Sequence, residues 1–419
     1  MSQIKERIKD KKEKLKTIFR IVQKHGPIER KQIQKMSKLS WGSVSEYSAS
    51  LIGSSIMKQS LALAWNVGKT PLILDINDQD NYIVGVDFNF IFIRVVVLDL
   101  KGRLIKTRMA PVTDGSRVVD ILLSTLEAII SEFAPDKCLI AISISVQGNL
   151  DEERGIALYL SFEPTWRNLK LKEIVENRFG IPTFTFHDPD CVLVAEKYFG
   201  NAMKEEYVNV VTIIMNLGIG MSLMTNSKLY NSTSGHHGEL GHITVVEGGA
   251  LCSCGKRGCL EAYASRTGIL NRFIDAVNEG KTSLASRDDV FSITYDTVRD
   301  GANAGDSICL EIFRNAGRIL GNTIASLATM LDPDAIIIFG ELAHDRNLFE
   351  DMMMDNYNAN VYPGNETKVV FSDQGASAPV LGAAMYAIEK IIGNFLFEKT
   401  KQYESQKNWA NEDSMVQNA

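Results

Sequence analysis

The apolar positions of the first fifty residues recur at helical spacing. Leu15, Ile18, Phe19 and Val22 lie three and four apart and predict an amphipathic helix that ends before Gly26-Pro27. Ile28-Glu29-Arg30 opens a second, short helix with Ile33 and Met36 turned inward. Ser37-Lys38-Leu39-Ser40 reads as a turn, with Ser40 as N-cap of a third helix that runs to Met57 and buries Val44 and Leu51. Helix, tight turn and helix in this order form a helix-turn-helix pattern. From Ile56 to Ile76 the sequence alternates loosely around Gly68-Lys69-Thr70-Pro71, which predicts a two-stranded wing.

Beyond residue 76 the pattern changes. Tyr82–Asp87 and Phe92–Leu100 are β-branched, apolar runs that predict a hairpin, with a turn at Gly102. Ile121–Phe133 reads as an amphipathic helix, Leu139–Val146 as a buried strand, Ile174–Phe179 as the end of a helix and Thr183–Phe186 as a strand. A second such set begins at Val208–Met215. Two alternations of strand and helix predict two α/β lobes with a cleft between them. The expected division is a head over residues 1–75, a smaller lobe over 76–200, a larger lobe over 201–395 and a polar, frayed tail over 396–419.

Composition adds one fact to this picture. The net charge of −6 is unevenly spread: residues 1–70 hold 15 basic and five acidic side chains, a net of +10, which leaves −16 on the rest. A basic head on an acidic body is the polarity expected of a nucleic-acid-binding module joined to something else. Phosphate contacts are expected from Arg30, Lys31, Lys35, Lys38 and, in the wing, Lys69. The third helix carries no Lys or Arg, so base readout falls to Trp41, Ser43, Ser45, Tyr47 and Ser48. No apolar run is expected to reach the length needed to span a bilayer, and the lysine-rich start does not read as a signal peptide, so a cytoplasmic protein is expected.

Three of the six cysteines, Cys252, Cys254 and Cys259, fall within eight positions, with His242 a short segment upstream. Three thiolates and one imidazole form a closed tetrahedral set for a structural Zn²⁺. Gly255 and Gly258 allow the tight turns such a loop needs. A disulfide is the weaker reading in a reducing compartment. Cys138, Cys191 and Cys309 read as small core residues.

The text Gly238-Glu239-Leu240-Gly241-His242, followed by Cys-x-Cys-Gly-x-x-Gly-Cys-Leu-Glu at residues 252–261, resembles the zinc-containing core of the ROK family of repressors, open reading frames and sugar kinases. Similar landmarks run from about Tyr82 to Ile391, including Ala378-Pro379-Val380-Leu381-Gly382-Ala383-Ala384. The head is similar to that of the family's repressor branch at Pro27, Ile28, Arg30, Ile33, Leu39, Ser40, Val44 and Ser45. The resemblance implies an N-terminal winged helix-turn-helix followed by a two-lobed, actin-like or hexokinase-type fold. It also implies sugar contacts from His187, Asp188, Glu239, His242 and Glu261, with His242 shared between sugar and zinc. His187 stands where the family has Asn, and Asp188 where its kinases have a catalytic base.

The nucleotide side departs from the kinase pattern. Asp87 is followed by Phe88-Asn89-Phe90-Ile91 instead of a glycine-rich turn. Gly218-Ile219-Gly220-Met221-Ser222 and Gly340-Glu341 are likewise altered at the two other nucleotide motifs. The expected function is therefore a sugar-responsive regulator, most simply a repressor and not an enzyme. Its partners would be operator DNA, a sugar or sugar-phosphate effector and a second copy of the chain, as a homodimer or higher oligomer, with no membrane. The alternatives are an ATP-dependent sugar kinase with Asp188 as base, and a sensor that acts through protein contacts without DNA.

Overall fold

The computed structural model describes residues 2–61, 71–89, 91–133, 138–160, 163–230, 237–281, 283 and 293–416. The chain divides into two compact units. The first gathers Met1–Ile144, Lys172–Phe184 and Ala384–Ala419; the second gathers Ser145–Leu171 and Thr185–Ala383. Contiguous segments were expected, whereas each unit here collects separated stretches of sequence.

The head follows its apolar periodicity. Helix α1 (Ser2–His25) fully buries Leu15, Ile18, Phe19 and Val22, each contributing about 1.5–3 kcal/mol of transfer free energy. Strand β1 (Ile28–Glu29) precedes helix α2 (Arg30–Ser37), whose first turn is closed by a capping box between Glu29 and Gln32. Helix α3 (Trp41–Gly53) begins where Ser40 Oγ accepts from the Ser43 N–H at 3.2 Å. It ends at Gly53 rather than Met57, which instead starts strand β2 (Met57–Leu61). This strand pairs antiparallel with β3 (Leu72–Ile76), and β1 pairs with the other edge of β3. Ile33 is buried as expected, but Met36 is exposed, because the short helix turns only one narrow stripe inward.

Strands β4 (Asn81–Phe88), β5 (Phe92–Asp99) and β6 (Leu104–Pro111) form an antiparallel meander, and helix α4 (Val118–Phe133) packs against it. Strand β7 (Cys138–Val146) follows. Then β8 (Asn149–Asp151), β9 (Ile156–Leu160) and β10 (Glu163–Leu169) make a separate three-stranded sheet. After helix α5 (Leu171–Phe179), strand β11 (Thr183–His187) completes a five-stranded sheet of order β11-β7-β4-β5-β6. Cys138 begins β7 exposed, contrary to the expected core position, whereas Cys191 and Cys309 are buried.

The second unit is built on a sheet of order β14-β13-β12-β15-β16: β12 (Val210–Met215), β13 (Ile219–Thr225), β14 (Lys228–Leu229), β15 (Ala335–Phe339) and β16 (Lys368–Phe371). β12, β15 and β16 run parallel, and every residue of β12 and β15 is buried, as expected for strands covered on both faces. Phe313, Leu320 and Ile324 of the helix Ser307–Leu331 share one core with Val211, Ile213, Ile336 and Ile338.

The tail is not frayed. One helix runs from Ala378 to Val416, and Ile388, Ile392, Leu396 and Thr400 are buried at intervals of four. Its stretch Ala378–Gln406 is long and apolar enough to cross a membrane by length and composition, which corrects the expectation that no run reaches that length. More than half of its most apolar window is buried within the protein, as in a core helix.

Candidate functional site

The second unit brings the Cys/His ligand set together. The ligand atoms of His242, Cys252, Cys254 and Cys259 all lie within 4.8 Å of one another. Cys252 Sγ is 3.6 Å from His242 Nδ1, and Cys254 Sγ is 3.8 Å from Cys259 Sγ. Both distances are close to the edge of a tetrahedron whose corners stand about 2.0–2.3 Å from its centre, the bond lengths of imidazole and thiolate to Zn²⁺. The loop is drawn in by two isolated bridges, Thr244 with Cys259 and Leu251 with Arg257. Gly258, at φ +77°, admits the Val246 carbonyl, which would lie 1.7 Å from any Cβ there. His242 itself sits in a single 3-10 turn, Leu240–His242, and its carbonyl accepts from Lys256 Nζ at 2.8 Å.

The expected sugar residues converge on the same unit. His187 ends β11 and is the N-cap of helix α6 (Asp188–Phe199). Its Nε2 lies 3.8 Å from Asp188 Oδ1, and its backbone N–H donates to Glu152 Oε1 at 3.2 Å. Burial lowers the His187 pKa and favours the neutral ring. Glu239 Oε2 is 3.9 Å from His242 Nε2, so His242 faces the cysteine cluster with one nitrogen and Glu239 with the other. Glu261 follows the last cysteine. Its Oε1 accepts from Ser253 Oγ at 2.9 Å, and its Oε2 from the Ile219 N–H at 3.2 Å.

Three residues of this site were not singled out in the sequence. Asp190 is fully buried two residues beyond Asp188 and accepts from Ser222 Oγ on one oxygen. Its other oxygen meets His237 Nε2 at 3.1 Å, and this bond raises the His237 pKa. The His237 ring stands 6.2 Å from those of His187 and Tyr230. Glu152, which accepts from the His187 backbone N–H, completes the group. The repeated acid in His187-Asp188-Pro189-Asp190 and the His before Gly238 were the available signals.

Side chains of the protein stand close to the altered glycine motifs. A Cβ on Gly218 would lie 2.6 Å from Glu261 Oε2, and one on Gly220 3.0 Å from Pro189 Cγ. Glu341 is ion-paired with Arg266, whose guanidinium lies 4.5 Å from the Tyr295 ring centre. In the first unit, Asp87 and Phe88 are both buried within β4, and burial pushes the Asp87 carboxyl up to about 7. Phe90 lies outside the described residues.

In the head, Lys31, Lys35 and Lys38 are exposed, and Lys38 occupies a left-handed position (φ 57°) at the end of α2. Arg30 is half-buried and donates to Gln59 at 2.9 Å. At the start of α3, Trp41 is 48% exposed, Ser45 is exposed, and Ser43 and Tyr47 are half-buried. Ser48 is fully buried and faces away from solvent, so it drops out of the readout set. Lys69 lies outside the described residues.

Comparison with known proteins agrees with this architecture. Over 389 residues the chain is 27% identical to the xylose repressor of Bacillus spizizenii, covering 91% of this chain and 96% of that one. It is 28% identical over 328 residues to the DNA-binding transcriptional dual regulator NagC of Escherichia coli, covering 78% and 79%. Among solved structures, a ROK family transcriptional regulator homologous to the E. coli MLC protein matches 93% of this chain and 98% of its own. Its TM-score is 0.79 at 22% identity, a likeness of fold. A ROK family glucokinase from Streptomyces griseus, solved with glucose and AMPPNP, covers 73% of this chain and 98% of its own, with TM-score 0.60 and 26% identity. The ROK family profile itself matches residues 83–390, and the protein belongs to the ROK family.

Proposed function

We propose that the protein is a sugar-responsive transcriptional repressor, with residues 1–75 as a winged helix-turn-helix and the second unit as the effector-binding body. One observation carries the reading: His242 faces a thiolate cluster on one side and Glu239 on the other, in a chain that matches xylose repressors over nine-tenths of its length. His242, Cys252, Cys254 and Cys259 would hold Zn²⁺ as a closed structural site, and the ion would fix the loop that carries Glu261. His187, Asp188, Glu239, His242 and Glu261 would then receive the sugar, the carboxylates accepting from hydroxyl groups.

In the head, α3 would enter the major groove through Trp41, Ser43, Ser45 and Tyr47, while Arg30, Lys31, Lys35, Lys38 and Lys69 neutralise phosphates. A homodimer would span two half-sites, and effector binding would shift it between states of different DNA affinity. Such coupling amounts to about 1–3 kcal/mol. Operator release measured by fluorescence anisotropy, using the DNA upstream of the protein's own gene with and without a sugar panel, tests the reading. A sugar that the protein phosphorylates at the expense of Mg-ATP, without effect on DNA binding, would replace it by the kinase reading. The retained Asp188 and the likeness to the glucokinase favour that second reading; the pairing of Glu341 with Arg266 and the loss of the glycine-rich turn after Asp87 oppose it.

A further inference from the structure

Helix α3 turns one side outward. Val44, Ser48 and Leu51 are buried, whereas Trp41, Gly42, Ser45, Glu46 and Ala49 are exposed. At 3.6 residues per turn these five share a single arc of about 140°. Tyr47 lies outside that arc and is half-buried. A helix in the major groove meets base edges with its N-terminal residues, so this arc is the face that would be read against DNA.

The arc has few groups to read with. A Cβ on Gly42 would find Ser40 Oγ at 4.0 Å, and the bare backbone there leaves room for close approach. Ala49 offers a methyl group. Trp41 can only donate a hydrogen bond, Ser45 can donate or accept, and the Glu46 carboxylate can only accept. Glu46 is also the one charged residue of α3. Lys14, whose ammonium feels the Glu46 charge, is held by Asp10 at 2.6 Å.

The major groove then discriminates. Guanine shows two acceptors there and thymine one, and the adenine amine has the N7 acceptor beside it. Cytosine presents its N4 amine with no acceptor alongside, so an acceptor-only side chain fits cytosine best. The same carboxylate is repelled by phosphates, a cost that exposed Lys31, Lys35 and Lys38 on the neighbouring segment offset.

We propose that Glu46 is the base-selecting residue of α3, its carboxylate accepting from the N4 amine of a cytosine in the operator. The inference rests on the DNA-binding reading above and adds Glu46 to the residues given there.

Selection from a randomised duplex library tests it, with the full-length protein and its Glu46→Gln and Glu46→Arg variants. The wild type should enrich a motif containing a cytosine that becomes adenine with Glu46→Gln and guanine with Glu46→Arg, the bases those side chains pair with. The other positions of the motif should stay the same. In anisotropy titrations, exchanging that cytosine for another base should weaken the wild type on the order of tenfold and leave Glu46→Ala nearly indifferent. The same motif from all three proteins overturns the inference and leaves DNA binding intact. A uniform gain in affinity across sequences in both variants, with the motif unchanged, also overturns it, since Glu46 would then act only by repelling phosphates. No enrichment by the wild type would remove the DNA-binding reading and this inference together.

Discussion

Glu404, near the end of the C-terminal helix, accepts a hydrogen bond from Ser50 Oγ of α3 at 2.9 Å across 354 residues of sequence. The same carboxylate accepts from Lys11 Nζ of α1, also at 2.9 Å. One side chain therefore ties both the first helix of the head and the helix proposed to read DNA to the far end of the chain. Glu404→Ala should destabilise this arrangement by on the order of 1 kcal/mol per hydrogen bond lost. Amide exchange in α1 and α3 should accelerate while exchange in β12 and β15 stays the same. Unchanged exchange in α3 would show that the tie is dispensable.

The Cys/His cluster predicts a joint loss. Cys254→Ser and Cys259→Ser should each abolish stoichiometric zinc, read by elemental analysis of the purified protein, and lower the melting temperature by roughly 5–10 °C. Sugar-induced stabilisation should disappear with the metal. Retention of full zinc content in both variants would remove the assignment.

Asp188 and the effector form the third prediction. Asp188→Asn keeps the shape of the side chain and removes its charge. It should reduce sugar affinity at least tenfold, the loss expected for one charge-assisted hydrogen bond. Affinity equal to that of the wild type would place Asp188 outside the site.

Asp87 predicts a pH dependence with a definite sign. Its folded pKa of about 7 lies above the ordinary carboxylate value of 3.8, so the folded state holds the proton more tightly than the unfolded chain. Stability from this group is fully present below about pH 4, falls as pH rises, and levels off above about pH 7. Asp87→Asn removes that penalty. The variant should melt several degrees above the wild type at pH 8, with the difference shrinking toward pH 5. An equal difference at both pH values would contradict the buried-carboxyl account.

DNA affinity should fall steeply with salt. Each phosphate contact contributes about −0.9 to the slope of log affinity against log salt concentration, so Lys31→Ala and Lys35→Ala should each flatten it by about one unit. A slope near zero in the wild type would argue against the basic head as the DNA-binding surface.

Much of this was legible in the sequence. The three head helices were written in Leu15, Ile18, Phe19, Val22, Ile33, Val44 and Leu51, because one apolar stripe per helix leaves few ways to pack. The convergence of His242, Cys252, Cys254 and Cys259 was legible because three cysteines and a histidine at that spacing have few other uses. The start of the C-terminal helix at Ala378 was legible, but its continuation past residue 396 was missed because that end is polar by composition, although the four-residue rhythm of Ile388, Ile392, Leu396 and Thr400 was there to be counted. The bond between His237 and Asp190 was invisible for a different reason. It joins residues 47 apart, and neither residue's local text distinguishes a partnered side chain from a solvated one.

His242 stands in two environments at once, 3.6 Å from Cys252 Sγ and 3.9 Å from Glu239 Oε2. On the proposed reading this constrains how the protein can change. A substitution at His242 that altered sugar choice would also dismantle the metal loop, so the position is closed to gradual tuning. New effector preferences have to arise at neighbours that hold no metal, His187 and Glu152 among them, and those are the positions at which to begin redesigning the sensor.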